Sequence, residues 1–227
     1  MSTVTYKHLN WDHVDTVLLD MDGTLLDLHF DNYFWTQYLP KRYSEIHAVP
    51  LSEISDKMQK RLQQKQGSLD WYCTDYWSAQ FDVNIIAIKH EIKHLIRERP
   101  QVLQFLNRLD VVGKRKILVT NADRAGIKLK FSVTSIEPLL DTVISSHDYG
   151  LPKEQQQFWH QLKSNVSFDP AKTVFIDDSE SVLKSAESFG IKHIFAVTQP
   201  DSAQIRQPIN GYRPLVNFMD LLSSNNG

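Results

Sequence analysis

The chain has 227 residues, of which 41% are hydrophobic, enough for one α/β domain with a modest insertion. Its formal net charge of −2 favours no nucleic-acid partner, and its basic cluster at residues 114–116 is typical of a solvated turn before a strand. No apolar run approaches the ~20 residues that span a bilayer, which argues against a membrane partner. The N-terminal stretch, with polar Lys7 and His8, lacks the apolar core of a signal peptide, so we expect a cytoplasmic protein.

The first predicted element is a buried strand over residues 14–19, which leads into Asp20 and Asp22. Residues i and i+2 of a strand share one side, so both carboxylates can face one small volume. Two such groups repel each other and lose hydration unless a cation joins them. Gly23 allows a backbone conformation closed to other residues, and Thr24 can cap a turn. By itself the segment of residues 20–24 is equally compatible with an exposed turn and with a metal site.

About seventy residues without strand-like alternation follow, far more than an ordinary connection between strand and helix. We therefore predict an inserted helical unit over residues 29–100, with an α/β core formed by residues 1–28 and 101–227. Two apolar faces mark helices in the insertion, one with Leu51, Ile54, Met58 and Leu62, and one with Ile85, Ile88, Ile92, Leu95 and Ile96.

The insertion is also rich in aromatic residues. Residues 31–35 and 69–77 exceed the chain average of 11% aromatics. Flat rings can stack on a nucleobase, whereas the common role of any single ring is to fill a core. The rings at issue are Phe34, Trp35, Trp71 and Trp77, with polar neighbours Asn32, Asp70 and Asp75.

Strand and helix patterns alternate from residue 101 onward. Such alternation predicts a Rossmann-like parallel sheet with right-handed crossovers. The predicted strands cover residues 117–119, 143–145, 174–176 and 193–197, and the predicted helices cover residues 101 to about 113, 127–131, 155–162 and 181–189.

Polar groups follow these strands at the points where each strand ends. Thr120 and Asn121 follow one strand, and Asp177 and Asp178 follow another. Lys153 is the single cation of the set. Ligands of open α/β sheets bind beyond the carboxyl ends of the strands, so these groups and the first acidic pair can converge on one crevice.

These motifs, in this order, resemble those of the haloacid dehalogenase-like (HAD) hydrolase superfamily. The resemblance covers nearly the whole chain and implies the HAD fold, a parallel α/β core with an inserted helical cap over the active site. One departure is that relatives usually have Pro directly after the motif lysine, whereas here Pro152 precedes it and Glu154 follows it. The motifs are Asp20-x-Asp22-Gly23-Thr24, Thr120, Lys153 and Asp177-Asp178.

The resemblance also implies roles for these residues. Asp20 would be the nucleophile that forms an aspartyl phosphate, and Asp22 would act as general acid and then general base. Thr120 and the Asn121 N–H would hold phosphoryl oxygens, while Lys153 would orient Asp20.

The resemblance further implies Mg²⁺, for which Mn²⁺ or Co²⁺ can substitute. Its ligands would be Asp20, the backbone carbonyl of Asp22 and Asp178, with Asp177 close by. Four carboxylates and one lysine leave a charge of −3, which would repel a phosphate. A divalent metal brings the pocket to −1, so we expect the metal to be obligatory.

Several segments, residues 14–28, 31–35, 71–73 with 75–78, and 175–180, look like those of the bacterial GMP/IMP nucleotidase group. This closer resemblance implies a small-molecule phosphomonoester substrate, a purine nucleoside 5′-monophosphate. Neither the preferred base nor the oligomeric state follows from the sequence.

Other activities of the superfamily are alternatives. A phosphatase or mutase acting on a sugar phosphate or another small phosphomonoester uses the same core residues, whereas a dehalogenase does not need Asp22. Phosphonate cleavage needs a cap lysine placed for a Schiff base, and the lysines available there look like solvated helix faces. They are Lys57, Lys60, Lys65, Lys89 and Lys93.

One motif belongs to a different class of enzyme. His90, Glu91 and His94 match the His-Glu-x-x-His pattern of zinc proteases, in which two histidines one helical turn apart bind Zn²⁺. Lys93 would place a cation beside that metal, and Pro100 stands where the extended motif needs His. A polar helix face is the better interpretation.

Overall fold

The computed structural model describes residues 9–222, so Lys7 and His8 lie outside the described residues. Within this range the predicted α/β fold is confirmed: six parallel strands form one sheet in the order β3-β2-β1-β4-β5-β6. In that range no helix is long and apolar enough to cross a membrane. The strands are β1 (Thr16–Leu19), β2 (Arg115–Thr120), β3 (Thr142–Ser145), β4 (Thr173–Asp177), β5 (His193–Val197) and β6 (Arg213–Leu215).

β1 lies in the middle of the sheet and fixes the position of the site. Leu19, its last residue, pairs with Leu118 of β2 and with Ile176 of β4. The carboxyl ends of β1, β2 and β4 therefore meet at one edge of the sheet, and the residues that follow them become neighbours.

Alternation along β1 directs side chains to both faces of the sheet. Val17 and Leu19 belong to one hydrophobic cluster, and Leu18 belongs to another on the opposite face. The first cluster includes buried apolar residues of the predicted insertion, so residues 29–100 and the rest of the fold share buried apolar packing.

Helices of the α/β core follow the predicted chain order. Each contributes buried apolar side chains to one of the two hydrophobic clusters, and Gly190, in a left-handed conformation (φ 105°), ends the last of them. These helices are α6 (Val102–Val111), α7 (Arg124–Phe131), α8 (Gln156–Asn165) and α9 (Glu180–Phe189), and residues 29–100, the predicted insertion, contain α1 (His29–Tyr33), α2 (Leu39–His47), α3 (Leu51–Gln63), α4 (Thr74–Phe81) and α5 (Ile85–Glu91).

Three features of the fold differ from the sequence predictions. The short strand β6 lies outside the predicted strands, because its exposed Pro214 lies between half-buried Arg213 and buried Leu215 and interrupts the apolar pattern. The apolar face predicted from Ile85 to Ile96 is not one helix, since α5 ends at Glu91 and a separate 3₁₀ turn covers Lys93–Leu95. The basic cluster is not a solvated turn either, because Lys116 lies in β2 and is only 1% exposed, with its Nζ against the carboxylates of Asp110 and Asp141.

Candidate active site

The residues predicted at the strand ends line a single cavity of about 400 Å³. Asp20 follows β1, Thr120 ends β2 and Asp177 ends β4, and each of these side chains is at most 5% exposed. The Ala122 N–H donates to Thr120 Oγ1 at 3.1 Å, so the hydroxyl hydrogen of Thr120 remains available to a bound ligand.

Lys153 lies beneath these groups and is 1% exposed. Its Nζ donates to Asp20 Oδ1 at 2.6 Å, to Asp177 Oδ2 at 2.7 Å and to the Val119 carbonyl at 3.1 Å. Burial lowers the pKa of Lys153, but Asp177 and Asp20 raise it more, so its net pKa lies above the usual range. The ammonium therefore stays charged and holds one oxygen of Asp20 in place.

Three carboxylates at this edge could hold a metal ion. Asp20, Asp177 and Asp178 each offer an oxygen, and these oxygens lie within 4.8 Å of one another. Burial raises the pKa of Asp20 to about 6 despite Lys153, and burial followed by Asp177 and Asp20 raises the pKa of Asp178 well above its usual value. One lysine does not balance three acids, so this all-oxygen set suits a hard divalent cation.

Gly23 leaves space for the Asp178 carboxylate beside the segment of residues 20–24. Its φ of +84° lies in the region that favours glycine, and a Cβ at this position would overlap the Asp178 carboxylate. The glycine of the motif is therefore required for space as well as for backbone conformation.

The carboxylate of Asp22 has a different partner. Its Oδ1 lies 2.5 Å from Nζ of Lys130, a residue of α7 that is itself 3% exposed. Burial raises the pKa of Asp22 to about 6, and Lys130 partly opposes this increase. Asp22 therefore lines the cavity beside a cation and apart from the acidic cluster.

Lys130 also contacts the insertion. Its Nζ donates to Asp31 Oδ2 at 2.7 Å, and Lys89 Nζ donates to Asp31 Oδ1 at 2.9 Å. The expectation that Lys89 is solvated is wrong, because it is 4% exposed and its ammonium lies 5.2 Å from the ring centre of Trp35. Its ammonium is already paired with Asp31 and packed against an aromatic ring, which disfavours a role for it in Schiff-base chemistry.

Hydrogen bonds of Asn121 and Glu154 hold the loop that contains Lys153 in place. Asn121 Oδ1 accepts from the Lys153 backbone N–H at 2.9 Å, and Asn121 Nδ2 donates to Glu154 Oε2 at 3.0 Å. Tyr72 OH, from the insertion, donates to Glu154 Oε1 at 2.8 Å. The side chain of Asn121 is thus committed to the loop, so any contact with a phosphoryl group falls to its backbone.

The predicted insertion also contributes residues to the lining of the cavity. Trp35, Trp71, Tyr72, Asn32 and Gln66 line it, so part of the predicted aromatic content faces the site.

The other rings and acids of the insertion have structural roles. Phe34 and Trp77 are at most 1% exposed and fill the core, as is common for buried rings. Asp70 pairs with Lys65 at 2.8 Å, and Asp75 is exposed.

The His-Glu-x-x-His motif is not assembled as a zinc site. α5 ends at Glu91, so His90 and His94 do not share a continuous helix, and both are exposed. Glu91 accepts from Tyr38 OH at 2.6 Å and pairs with Arg42. Among residues 9–222, neither histidine belongs to a cluster of three or more potential metal ligands.

The fold and this arrangement of acids define a class of enzyme. A family model for haloacid dehalogenase-like hydrolases matches residues 17–196. The chain therefore belongs to the haloacid dehalogenase-like hydrolase family.

Particular relatives refine this placement. The chain is 40% identical over 217 residues to the GMP/IMP nucleotidase YrfG of Escherichia coli (strain K12), covering 92% of this chain and 98% of the relative. It resembles the solved HAD phosphatase from Thermococcus onnurineus with a TM-score of 0.76, 19% identity and coverage of 92% and 96%. It resembles the HAD-hydrolase YfnB from Bacillus subtilis bound to magnesium with a TM-score of 0.62, 16% identity and the same coverage of 92% and 96%. These two structures support the fold.

Proposed function

We propose that this phosphoric monoester hydrolase acts on purine nucleoside 5′-monophosphates, with GMP and IMP as preferred substrates. The observation that carries the proposal is that one cavity is lined both by Asp20 and Lys153 and by the rings of Trp35 and Trp71. The 40% identity to a GMP/IMP nucleotidase over 92% of the chain supports the same substrate class.

In the proposed reaction, a carboxylate oxygen of Asp20 attacks phosphorus, which breaks the ester bond and forms an aspartyl phosphate. Asp22 donates a proton to the leaving oxygen and then accepts one from the water that hydrolyses the aspartyl phosphate. Lys153 keeps Asp20 oriented, while the Thr120 hydroxyl and the Asn121 N–H hold phosphoryl oxygens.

The acidic cluster is the proposed site for a divalent cation, Mg²⁺, with Mn²⁺ or Co²⁺ able to replace it. Asp20, Asp178 and the backbone carbonyl of Asp22 would hold it with Asp177 close by, and it would neutralise charge on the phosphoryl oxygens. The cytoplasmic location and the boundaries 29–100 of the insertion stay predictions.

Base selection falls to the insertion, because the groups at the strand ends recognise only phosphate. GMP and IMP share a 6-oxo group and a protonated N1, where AMP has an amino group and a bare N1. An amide such as that of Asn32 or Gln66, held in one orientation, would discriminate by ~1–3 kcal/mol, about ten- to a hundredfold. Asn32 is held, since its Nδ2 donates to Asp201 Oδ2 at 2.7 Å.

The test is a phosphate-release panel of GMP, IMP, AMP, hexose phosphates and phosphoglycolate, compared by kcat/KM with Mg²⁺ and with EDTA. We expect GMP and IMP to lead, activity to vanish in EDTA, and Asp20→Asn to remove turnover in a folded protein. A preference for a hexose phosphate would refute the nucleotidase proposal and favour the sugar-phosphate alternative. Residual turnover by Asp20→Asn beyond a trace would refute the nucleophile.

A further inference from the structure

A continuous chain of hydrogen bonds connects the insertion to the backbone of Lys153. Tyr72 OH donates to Glu154 Oε1 at 2.8 Å, and Asn121 Nδ2 donates to Glu154 Oε2 at 3.0 Å. Asn121 Oδ1 then accepts from the Lys153 N–H at 2.9 Å. Glu154 Oε1 thus accepts a hydrogen bond from the insertion, and Glu154 Oε2 accepts one from Asn121, which in turn contacts the Lys153 backbone.

A second contact docks the same segment of the insertion on the core. The backbone N–H and the hydroxyl of Thr74 both donate to Asp123 Oδ2 at 2.5 Å. Asp123 also caps α7, since its Oδ1 accepts from the Gly126 N–H at 2.7 Å. Tyr72 and Thr74 therefore donate from neutral groups to two carboxylates, Glu154 and Asp123, and both Tyr72 and Thr74 line the cavity.

We propose that Glu154 is a positioning residue that makes the placement of Lys153 depend on the docked insertion. This rests on the proposed function, in which Lys153 orients Asp20. When Tyr72 docks, it fixes the Glu154 carboxylate, which in turn fixes the Asn121 amide.

The chemistry of the amide explains why a carboxylate is needed. An amide offers a donor at one end and an acceptor at the other, so its orientation depends on its partners. A carboxylate accepts only, and it therefore holds Nδ2 of Asn121 toward itself and Oδ1 toward the Lys153 N–H. Burial and Glu154 raise the pKa of Tyr72, so its hydroxyl remains a donor.

The test is a double-mutant cycle with p-nitrophenyl phosphate, which needs no base recognition. Tyr72→Phe removes the hydroxyl and keeps the ring, and Glu154→Gln keeps the shape but can present an amide donor to Asn121. We expect each variant to lower kcat by about tenfold with a smaller change in KM, and the double variant to be no slower than Glu154→Gln. Tyr38→Phe is the matched control, since it breaks a 2.6 Å Tyr–Glu bond to Glu91 and should leave kcat unchanged.

The proposal would be overturned if the effects of Tyr72→Phe and Glu154→Gln on kcat were strictly additive. It would also be overturned if Tyr72→Phe and Tyr38→Phe had equal kcat values. If Glu154 had a purely structural role, the decrease in kcat would instead follow the decrease in melting temperature across the variants. If the wild-type protein cleaves p-nitrophenyl phosphate but no purine nucleotide, the substrate proposal fails and the cycle still measures the role of Glu154. If it cleaves neither, the phosphatase proposal fails, and zero coupling of Tyr72 with Glu154 in thermal unfolding would overturn the hydrogen-bond chain itself.

Discussion

Two aspartates of the site have the same chemistry and opposite surroundings. Asp22 lies 2.5 Å from the Lys130 ammonium, whereas Asp178 belongs to the carboxylate cluster with Asp20 and Asp177. Burial raises the pKa of Asp22 to about 6 despite Lys130, which suits a group that exchanges a proton, whereas a carboxylate among other carboxylates is suited to a metal. Substitution of Asp22 and substitution of Asp178 should therefore reduce activity for different reasons.

We expect Asp22→Asn to lower kcat by about 10²–10⁴ with little change in the Mg²⁺ concentration that gives half activity, because its backbone carbonyl remains. Asp178→Asn should raise that concentration, and added Mg²⁺ or Mn²⁺ should recover much of its activity. Metal titrations of both variants against the wild type measure the difference. Identical midpoints would contradict this division of roles.

Three helices meet at a buried network of charges. Asp31 of α1 lies between Lys89 of α5 and Lys130 of α7, and all three side chains are at most 14% exposed. Burial raises the pKa of Asp31, but Lys130 and Lys89 lower it more, so the carboxylate stays ionised. The network joins the insertion to the core through charge as well as through apolar contact.

Removing one member of such a network leaves a buried charge without its partner. Asp31→Asn should lower the free energy of unfolding by about 3–5 kcal/mol, measured by urea denaturation. Adding Lys89→Met to that variant should recover part of the loss, because it removes one unpaired ammonium. Asp70→Asn, which breaks the exposed pair with Lys65, is the control and should cost about 0–1 kcal/mol. Equal losses for the two single variants would contradict a buried network.

At the scale of the whole molecule, electrostatic repulsion among the clustered carboxylates of the site destabilises the folded state. Asp20, Asp177 and Asp178 share one lysine, and burial raises the pKa of each carboxylate. Folding therefore brings together charges that the unfolded chain keeps apart. A cation that binds the folded state should offset this cost.

Magnesium should therefore raise the melting temperature of the wild-type protein, by up to the equivalent of about 2.7 kcal/mol at a hundred times its dissociation constant. Asp178→Asn should melt above the wild type in EDTA and gain less from Mg²⁺, since it removes one repelling carboxylate and one ligand. Asp75→Asn, an exposed change, should keep the full magnesium shift. Differential scanning calorimetry with and without Mg²⁺ measures both effects. An Asp178→Asn variant that melts below the wild type in EDTA would contradict the repulsion.

The sequence by itself determined the strands from β1 to β5, the core helices and the residues at the strand ends. These follow from local periodicity and from the rule that parallel strands present their carboxyl ends at one edge. Only the tertiary structure decided which charges meet: Lys130 lies 99 residues from Asp31, and Tyr72 lies 82 residues from Glu154. Periodicity shows which face of a helix is buried, but a lysine on that face has the same pattern whether it reaches water or a carboxylate. This is the case for Lys89 in α5, whose ammonium meets Asp31. Lys116 lies in β2, and its burial likewise depends on an acid from elsewhere in the chain, Asp141.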